Sequence, residues 1–345
     1  MSKLTRRDFL KFGGLVAGGM AMPSWGGEFP FELLRQVPHG RITIDEIKVY
    51  KEPSYASVAV GTRKRDHLVE IFDQIISDDG PDFNPRWYRI KGGYAHTAYI
   101  QPVEVILNDP VPAFNPNGQL FEVTVPFTQS YLYDKYQGWQ PLYRLYFQSQ
   151  HWVTGMELGP TNRLGYIITD ELLKIKYHVL TEHLRAVPKE VFDPISPAVE
   201  PHLKRIVVRI KEQNLSCYEN DSEVFFSSVS TGIPGLPSPN GIPTATPRGT
   251  FNIQVKMPVR HMGNGQITSE IGAYELPGVP WSSFFTQTGV AFHGTYWHDN
   301  YGNEMSHGCV NMKPEDANWL FRWATPVIEP GIWDERGMGT KVEVV

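Results

Sequence analysis

Clusters of proline limit this chain before any other feature does. NDPVPAFNPNG (108–118) and PKEVFDPISPAVEP (188–201) cannot continue a helix or a central strand, because proline lacks an amide donor and fixes φ. A third cluster, PSWGGEFPFELLRQVPHG, runs up to residue 40. Read as linkers over 26–40, 105–119 and 189–201, they leave ordered stretches at 41–104, 120–188 and 202–345. Those stretches hold short runs of alternating character: RITIDEIKVY, HLVEIFDQII and RWYRI, then FEVTVPF, LYRLYF and LGYIITD, then KRIVVRI, SEVFFSSVSTG and GTFNIQVKM. Period-two alternation broken by turn signals predicts a mainly β, multidomain chain built of small barrels and sheets.

One helix is expected, in KPEDANWLFRWA (313–324). Pro314 suits the first position, and Glu315 and Asp316 suit the first turn. Ala317, Leu320, Phe321 and Ala324 then fall at i, i+3, i+4 and i+7, one buried face. Two loops, IPGLPSPNGIPTATP (233–247) and RHMGNGQITSE (260–270), are long for a compact domain, and loops of that length usually carry function. The stretches 41–103 and 120–187 share a plan: one ends in YIQPV and the other in HLRAV, so that Ile100 and Val103 match Leu184 and Val187.

Net charge is −5, yet the first eleven residues hold Lys3, Arg6, Arg7 and Lys11 against Asp8, and without that local +3 the remainder stands at −8. An acidic chain without basic blocks excludes nucleic acid and anionic membrane as natural partners. Two cysteines, Cys217 and Cys309, are too few for a disulfide framework. Arg6 and Arg7, followed by Asp8-Phe9-Leu10-Lys11 and the short apolar run from Phe12 to Met22, resemble the twin-arginine export motif over 1–25. That implies the twin-arginine translocase as a partner and a place in the cell envelope outside the cytoplasmic membrane. Cleavage after Ala21 and an uncleaved anchor are both compatible with it.

The chemistry concentrates in HGTYWHDNYGNEMSHGCVNM (293–312), with three histidines, an aspartate and one of the two cysteines. A metal reading fails on spacing: His307-Gly308-Cys309 is neither CxxC nor HxxxH, and HExxH and a second cysteine pair are missing nearby. No metal and no cofactor are expected. A nucleophile with its base fits better. A free thiol near pKa ~8.5 is only a few per cent thiolate at neutral pH and needs a proton acceptor, and histidine titrates in the useful range. A turn leading towards a helix start offers amides to thiolate and oxyanion, and Gly308 permits the bend. Cys217, in NLSCYEN, reads as an inert core thiol.

His293-Gly294 followed by Ser306-His307-Gly308-Cys309-Val310-Asn311 resembles the signature of the YkuD-type L,D-transpeptidases over roughly 203–327, together with SSVSTG (227–232) and TPRGTF (246–251). The resemblance implies Cys309 as acylated nucleophile, His293 as base and the Gly294 carbonyl orienting the imidazole. It implies Ser306 and His307 supporting the loop, amides around Gly308 and Cys309 forming an oxyanion hole, and Asn311 fixing the turn. Tyr296, Trp297 and Trp281 are candidates for stacking on substrate, while His298 and Asp299 are expected in solvent. By resemblance, the donor and acceptor are peptidoglycan stem peptides, and carbapenem-type β-lactams acylate Cys309. The 260–270 insert is a candidate lid. The stretch 41–103 resembles a bacterial SH3-like domain, and 120–188 does so through the repeat, so both are either wall-peptide grips or spacers. Alternatives at this level are an L,D-carboxypeptidase, a protein-anchoring enzyme, and a wall-binding protein without catalysis.

Overall fold

The computed structural model describes residues 38–345, apart from 112, 116, 161 and 238–242. The export motif with Arg6 and Arg7 lies outside the described residues. Two compact units divide the chain, one running to Val105 and taking in Trp297–Asp299, the other holding Ile106–Tyr296 and Asn300–Val345.

In the first unit, His39–Ile42 pairs antiparallel with Leu68–Glu70 and Ile100–Val103. A five-stranded sheet runs in the order Ala59–Lys64, Glu46–Tyr50, Gly93–His96, Arg86–Ile90, Asp73–Ile76. Ile42, Val49, Val69, Tyr88, Ile90, Ala95 and Ile100 pack as its core. Arg41 is buried, and its guanidinium bonds Asp66 at 3.0 Å and Gln101 at 2.8 Å, which supplies the partners a buried charge requires. Trp297–Asp299 is held in this unit by backbone and charge. The Asp299 amide donates to the Ala98 carbonyl at 2.8 Å, and Arg86 meets the Asp299 carboxylate at 3.1 Å. His298 is buried. The expectation that His298 and Asp299 stand in solvent is therefore corrected, since an ion pair and a ladder-like bond draw them in.

The second unit begins with a seven-stranded antiparallel sheet ordered Gly138–Tyr146, Phe127–Asp134, Lys176–Leu180, Leu164–Thr169, Gln150–Leu158, Gln119–Val123, Leu184–Ala186. The repeat seen in the sequence has a structural counterpart. A one-turn 3-10 helix, Thr97–Tyr99 or Thr181–His183, precedes each closing strand, and Ile100, Val103, Leu184 and Val187 are all buried.

Two further five-stranded sheets follow. In one, Lys204–Arg209 pairs antiparallel with Asn214–Glu219 and parallel with Lys341–Val344, which itself pairs with Gly249–Asn252. In the other the order is Val310–Met312, Ala291–Gly294, Glu275–Phe284, Val255–Gly263, Glu335–Arg336. The helix Pro314–Trp323 buries Ala317, Leu320, Phe321 and Trp323 against a core that includes Phe292, Val310 and Met312. It ends on a lysine: the Lys256 ammonium, fully buried, reaches the carbonyls of Phe321 at 2.5 Å, Ala324 at 2.8 Å and Pro326 at 2.7 Å, groups that a helix end leaves without intrahelical donors.

Candidate active site

Ala291–Gly294 and Val310–Met312 run side by side in parallel, Phe292 opposite Val310, His293 opposite Asn311 and Gly294 opposite Met312. Opposed residues share a face and side chains repeat every second residue, so this register sets His293 and Asn311 on one face and Phe292 and Val310 on the core face. Cys309 comes one residue before its strand, and the Ala291 amide donates to its sulfur, which puts it on the His293 face one step along the ladder. Diagonal neighbours of this kind lie on the order of 7 Å apart, within reach of an imidazole. Alternation thus brings together two residues that are far apart as a motif.

The imidazole of His293 is buried, and its Nδ1 lies 3.0 Å from the Gly294 carbonyl. A carbonyl only accepts, so Nδ1 carries the proton and Nε2 the lone pair. Burial pulls the His293 pKa down to about 4, and the carbonyl bond offsets part of that. The Cys309 thiol, half-buried as a residue, is pushed up to about 11 by burial, against the Ala291 amide that favours the thiolate. The two shifts agree: the pair rests as thiol and neutral imidazole rather than as thiolate and imidazolium. The helix does not change this, because Val310–Met312 separates Cys309 from its first turn at Pro314. The expected helix-terminus field on the thiol is corrected accordingly, since such fields fade within the first turn.

Ser306 closes the turn, accepting from the Gly308 amide at 3.1 Å and donating to the Cys309 carbonyl at 2.5 Å. The Gly308 amide is therefore engaged inside the turn, which corrects its expected part in an oxyanion hole. His307 is exposed, and its ring lies 5.1 Å from that of Tyr274, four residues past the 260–270 insert. Asn311 is buried and exchanges two backbone bonds with Ser230, at 2.9 and 2.8 Å. Trp281 is buried against Phe192 and Phe321, and Tyr296 is buried with its hydroxyl on the Pro277 carbonyl at 2.9 Å. Neither offers a face to a substrate, and that expectation is corrected. Trp297 is half-buried and belongs with the first unit.

Several residues around the turn carried no individual sequence signal. Thr246 accepts from the Gly232 amide and donates to the Gly308 carbonyl, both at 2.8 Å. A Cβ on Gly232 would lie 2.7 Å from the Gly308 nitrogen and 2.1 Å from the Thr244 carbonyl, so only glycine lets the two backbones meet. Gln213 holds the same segment, accepting from the Thr231 amide at 2.8 Å and donating to its hydroxyl at 2.6 Å. Runs such as SSVSTG and TPRGTF mark this region in the sequence without telling which member touches the turn. Among the described residues no three of His, Cys, Asp and Glu gather as a metal-holding group.

Solved structures similar to the chain include the Ldtfm–avibactam carbamoyl enzyme, 25% identical, with 43% of this chain and 50% of that one covered and a TM-score of 0.29. An Enterococcus faecium L,D-transpeptidase is 24% identical over 43% of this chain and 51% of its own, with a TM-score of 0.30. One from Mycobacterium smegmatis is 21% identical over 52% and 77%, with a TM-score of 0.32. The chain spans about half the length of the first two. No curated protein matches it. The family comparison falls on the sheets and helix that hold His293 and Cys309: residues 203–344 match YkuD, the L,D-transpeptidase catalytic domain.

Proposed function

We propose that this chain is a peptidoglycan L,D-transpeptidase that works through a thioester on Cys309. The observation that carries the reading is the His293–Cys309 pair on adjacent parallel strands, with the Gly294 carbonyl fixing the tautomer that makes Nε2 the base. Because both groups rest neutral, proton transfer accompanies attack. Sγ adds to the carbonyl carbon before the terminal D-amino acid of a stem peptide while Nε2 takes the thiol proton. The tetrahedral oxyanion draws on the Cys309 amide, since that of Gly308 is engaged by Ser306. Collapse breaks the C–N bond, the imidazolium protonates the departing amine, and the thioester remains. An amine of a neighbouring stem then attacks, gives its proton to His293, and expels the sulfur, which recovers a proton. No cofactor enters.

Arg6-Arg7 and the run after them support export to the cell envelope. The first module is read as an SH3-like grip on wall peptides. Tyr55 is about half exposed, and the buried rings of Trp87 at 4.9 Å and His96 at 5.2 Å hold it in place, one fixed aromatic face open to a peptide. Tyr55→Ala should lower retention of the protein on isolated sacculi; unchanged retention would reduce the module to a spacer.

The central test is incubation of the mature chain with disaccharide-tetrapeptide, read by mass spectrometry beside Cys309→Ala. Cross-linked dimer with loss of one D-Ala, absent in the variant, is expected. D-Ala loss without dimer would make water the acceptor and the protein a carboxypeptidase. A carbapenem should add its mass to Cys309 in the wild type alone.

A further inference from the structure

Away from the catalytic pair, the second unit buries a cluster of ionisable groups that the reaction does not use. His261 is wholly buried on the strand Val255–Gly263, with a carboxylate at each ring nitrogen: Asp170 at 2.6 Å from Nδ1 and Glu275 at 2.9 Å from Nε2. Its backbone amide donates to Glu171. Asp170 and Glu171 follow the strand Leu164–Thr169 of the seven-stranded sheet, whereas His261 and Glu275 flank the 264–274 loop. Two carboxylates facing one imidazole are satisfied together only when both ring nitrogens donate, which is the imidazolium.

The cluster reaches the loop through Glu275. Its two oxygens accept from the amides of Gly265 at 3.1 Å and Gln266 at 2.8 Å. Tyr143, from the seven-stranded sheet, donates to the Gln266 carbonyl at 2.7 Å and sets its ring edge-on to His261 at 5.2 Å. At the other end of the loop Tyr274 lies against His307, two residues before Cys309, with its ring 5.1 Å from the imidazole. Asp170 meanwhile accepts from the amides of Leu172 and Leu173, which fixes it to its own sheet.

We propose that His261 is a positioning residue for the reaction at Cys309: it ties the seven-stranded module, through Asp170, to Glu275, and so holds the 264–274 loop with Tyr274 against the catalytic turn. The inference rests on the reading of Cys309 as nucleophile. The second β module then helps to set the wall of the active site. Burial opposes charge on His261, but the bond and charge of Asp170, then Glu275 and Glu171, outweigh it and raise its pKa above the ordinary value. Arg260, Tyr143, Tyr177 and His151 are the remaining titratable or charged neighbours. A raised histidine pKa means the imidazolium persists below it and the tie is lost as pH rises through it.

The test uses the whole chain and no stem peptide. Hydrogen exchange at the Gly265 and Gln266 amides, corrected for the intrinsic rate, is followed from pH about 6 to about 10. Protection should fall about tenfold as His261 deprotonates, and the step should vanish in His261→Gln and Asp170→Asn. At pH about 7, alkylation of Cys309 by iodoacetamide, read by peptide mass, should change at least about threefold in His261→Gln. Protection that shows no step in the wild type, or a step that survives in His261→Gln, overturns the proposal, as does an unaltered alkylation rate. Failure of transpeptidation with these results intact would instead sink the reading of the reaction and leave the tie standing.

Discussion

At the scale of single residues, the His293–Cys309 pair is defined by what surrounds it more than by its own chemistry. His293 held down to about 4 stays a competent base through neutral pH, and only acid below that value should silence it. The acid limb of kcat/KM is therefore expected near pH 4 rather than near the ordinary histidine value, and a limb above pH about 6 would contradict the buried, neutral imidazole. With the thiol pushed up to about 11, alkylation of Cys309 in the absence of substrate should be slow at neutral pH and climb steadily into the alkaline range. A plateau reached by pH about 8 would mean a thiolate at rest. The residues proposed to carry this chemistry are legible because they sit in one compact motif, His293-Gly294 and Ser306 to Asn311. Trp281 and Tyr296 were misjudged because an aromatic beside a motif reads the same whether it packs inward or faces a groove. Gly232, Thr246 and Gln213 went unseen for a different reason: contact with the turn arises only when distant segments meet.

Among elements, the helix was readable to within a residue, since proline, acidic first turn and an i, i+3, i+4, i+7 face all agree. Its far end was not, because the cap comes from Lys256, on a strand distant in sequence. Lys256→Met keeps most of the stem volume but takes the ammonium from two buried carbonyls, of Phe321 and Ala324, and from the half-buried one of Pro326. A loss of about 3 kcal/mol or more is expected in urea unfolding. A change within about 0.5 kcal/mol would show that water replaces the ammonium at the helix end. The strand pairing that assembles the site was likewise hidden. GVAFHG reads as a strand, but CVNM reads only as the turn ahead of the helix, so nothing in either run says that two strands lie there side by side and parallel.

For the molecule as a whole, buried histidines set the response to acid. His151, enclosed beside Gly278 with Ser149 on its Nε2 at 2.9 Å, is held down to about 3, and His293 to about 4. Both fold as neutral rings and charge more readily when unfolded. The stability they contribute is thus complete above the unfolded value near 6.5 and is lost as pH falls through the folded values. Each is worth roughly 3 to 5 kcal/mol across that window. Urea midpoints should drop steeply between pH about 6.5 and about 3. Substituting His151 by glutamine should flatten the slope, and an unchanged slope would place the acid sensitivity elsewhere. The mainly β character with several sheets was visible in the alternation, because that is a local signal. That 106–296 and 300–345 form one compact unit was not, since it depends on long-range contacts such as the stacked rings of Trp152 and Trp333, 4.8 Å apart.

The strand Lys341–Val344 sits inside its sheet, between Lys204–Arg209 and Gly249–Asn252. Without it, both neighbours would present open hydrogen-bonding edges, the condition in which a sheet is prone to pair with the wrong partner. Deleting Lys341–Val344 should therefore drive the protein into aggregates rather than merely lower its stability, and a soluble, folded variant would show that the two exposed edges find another cover.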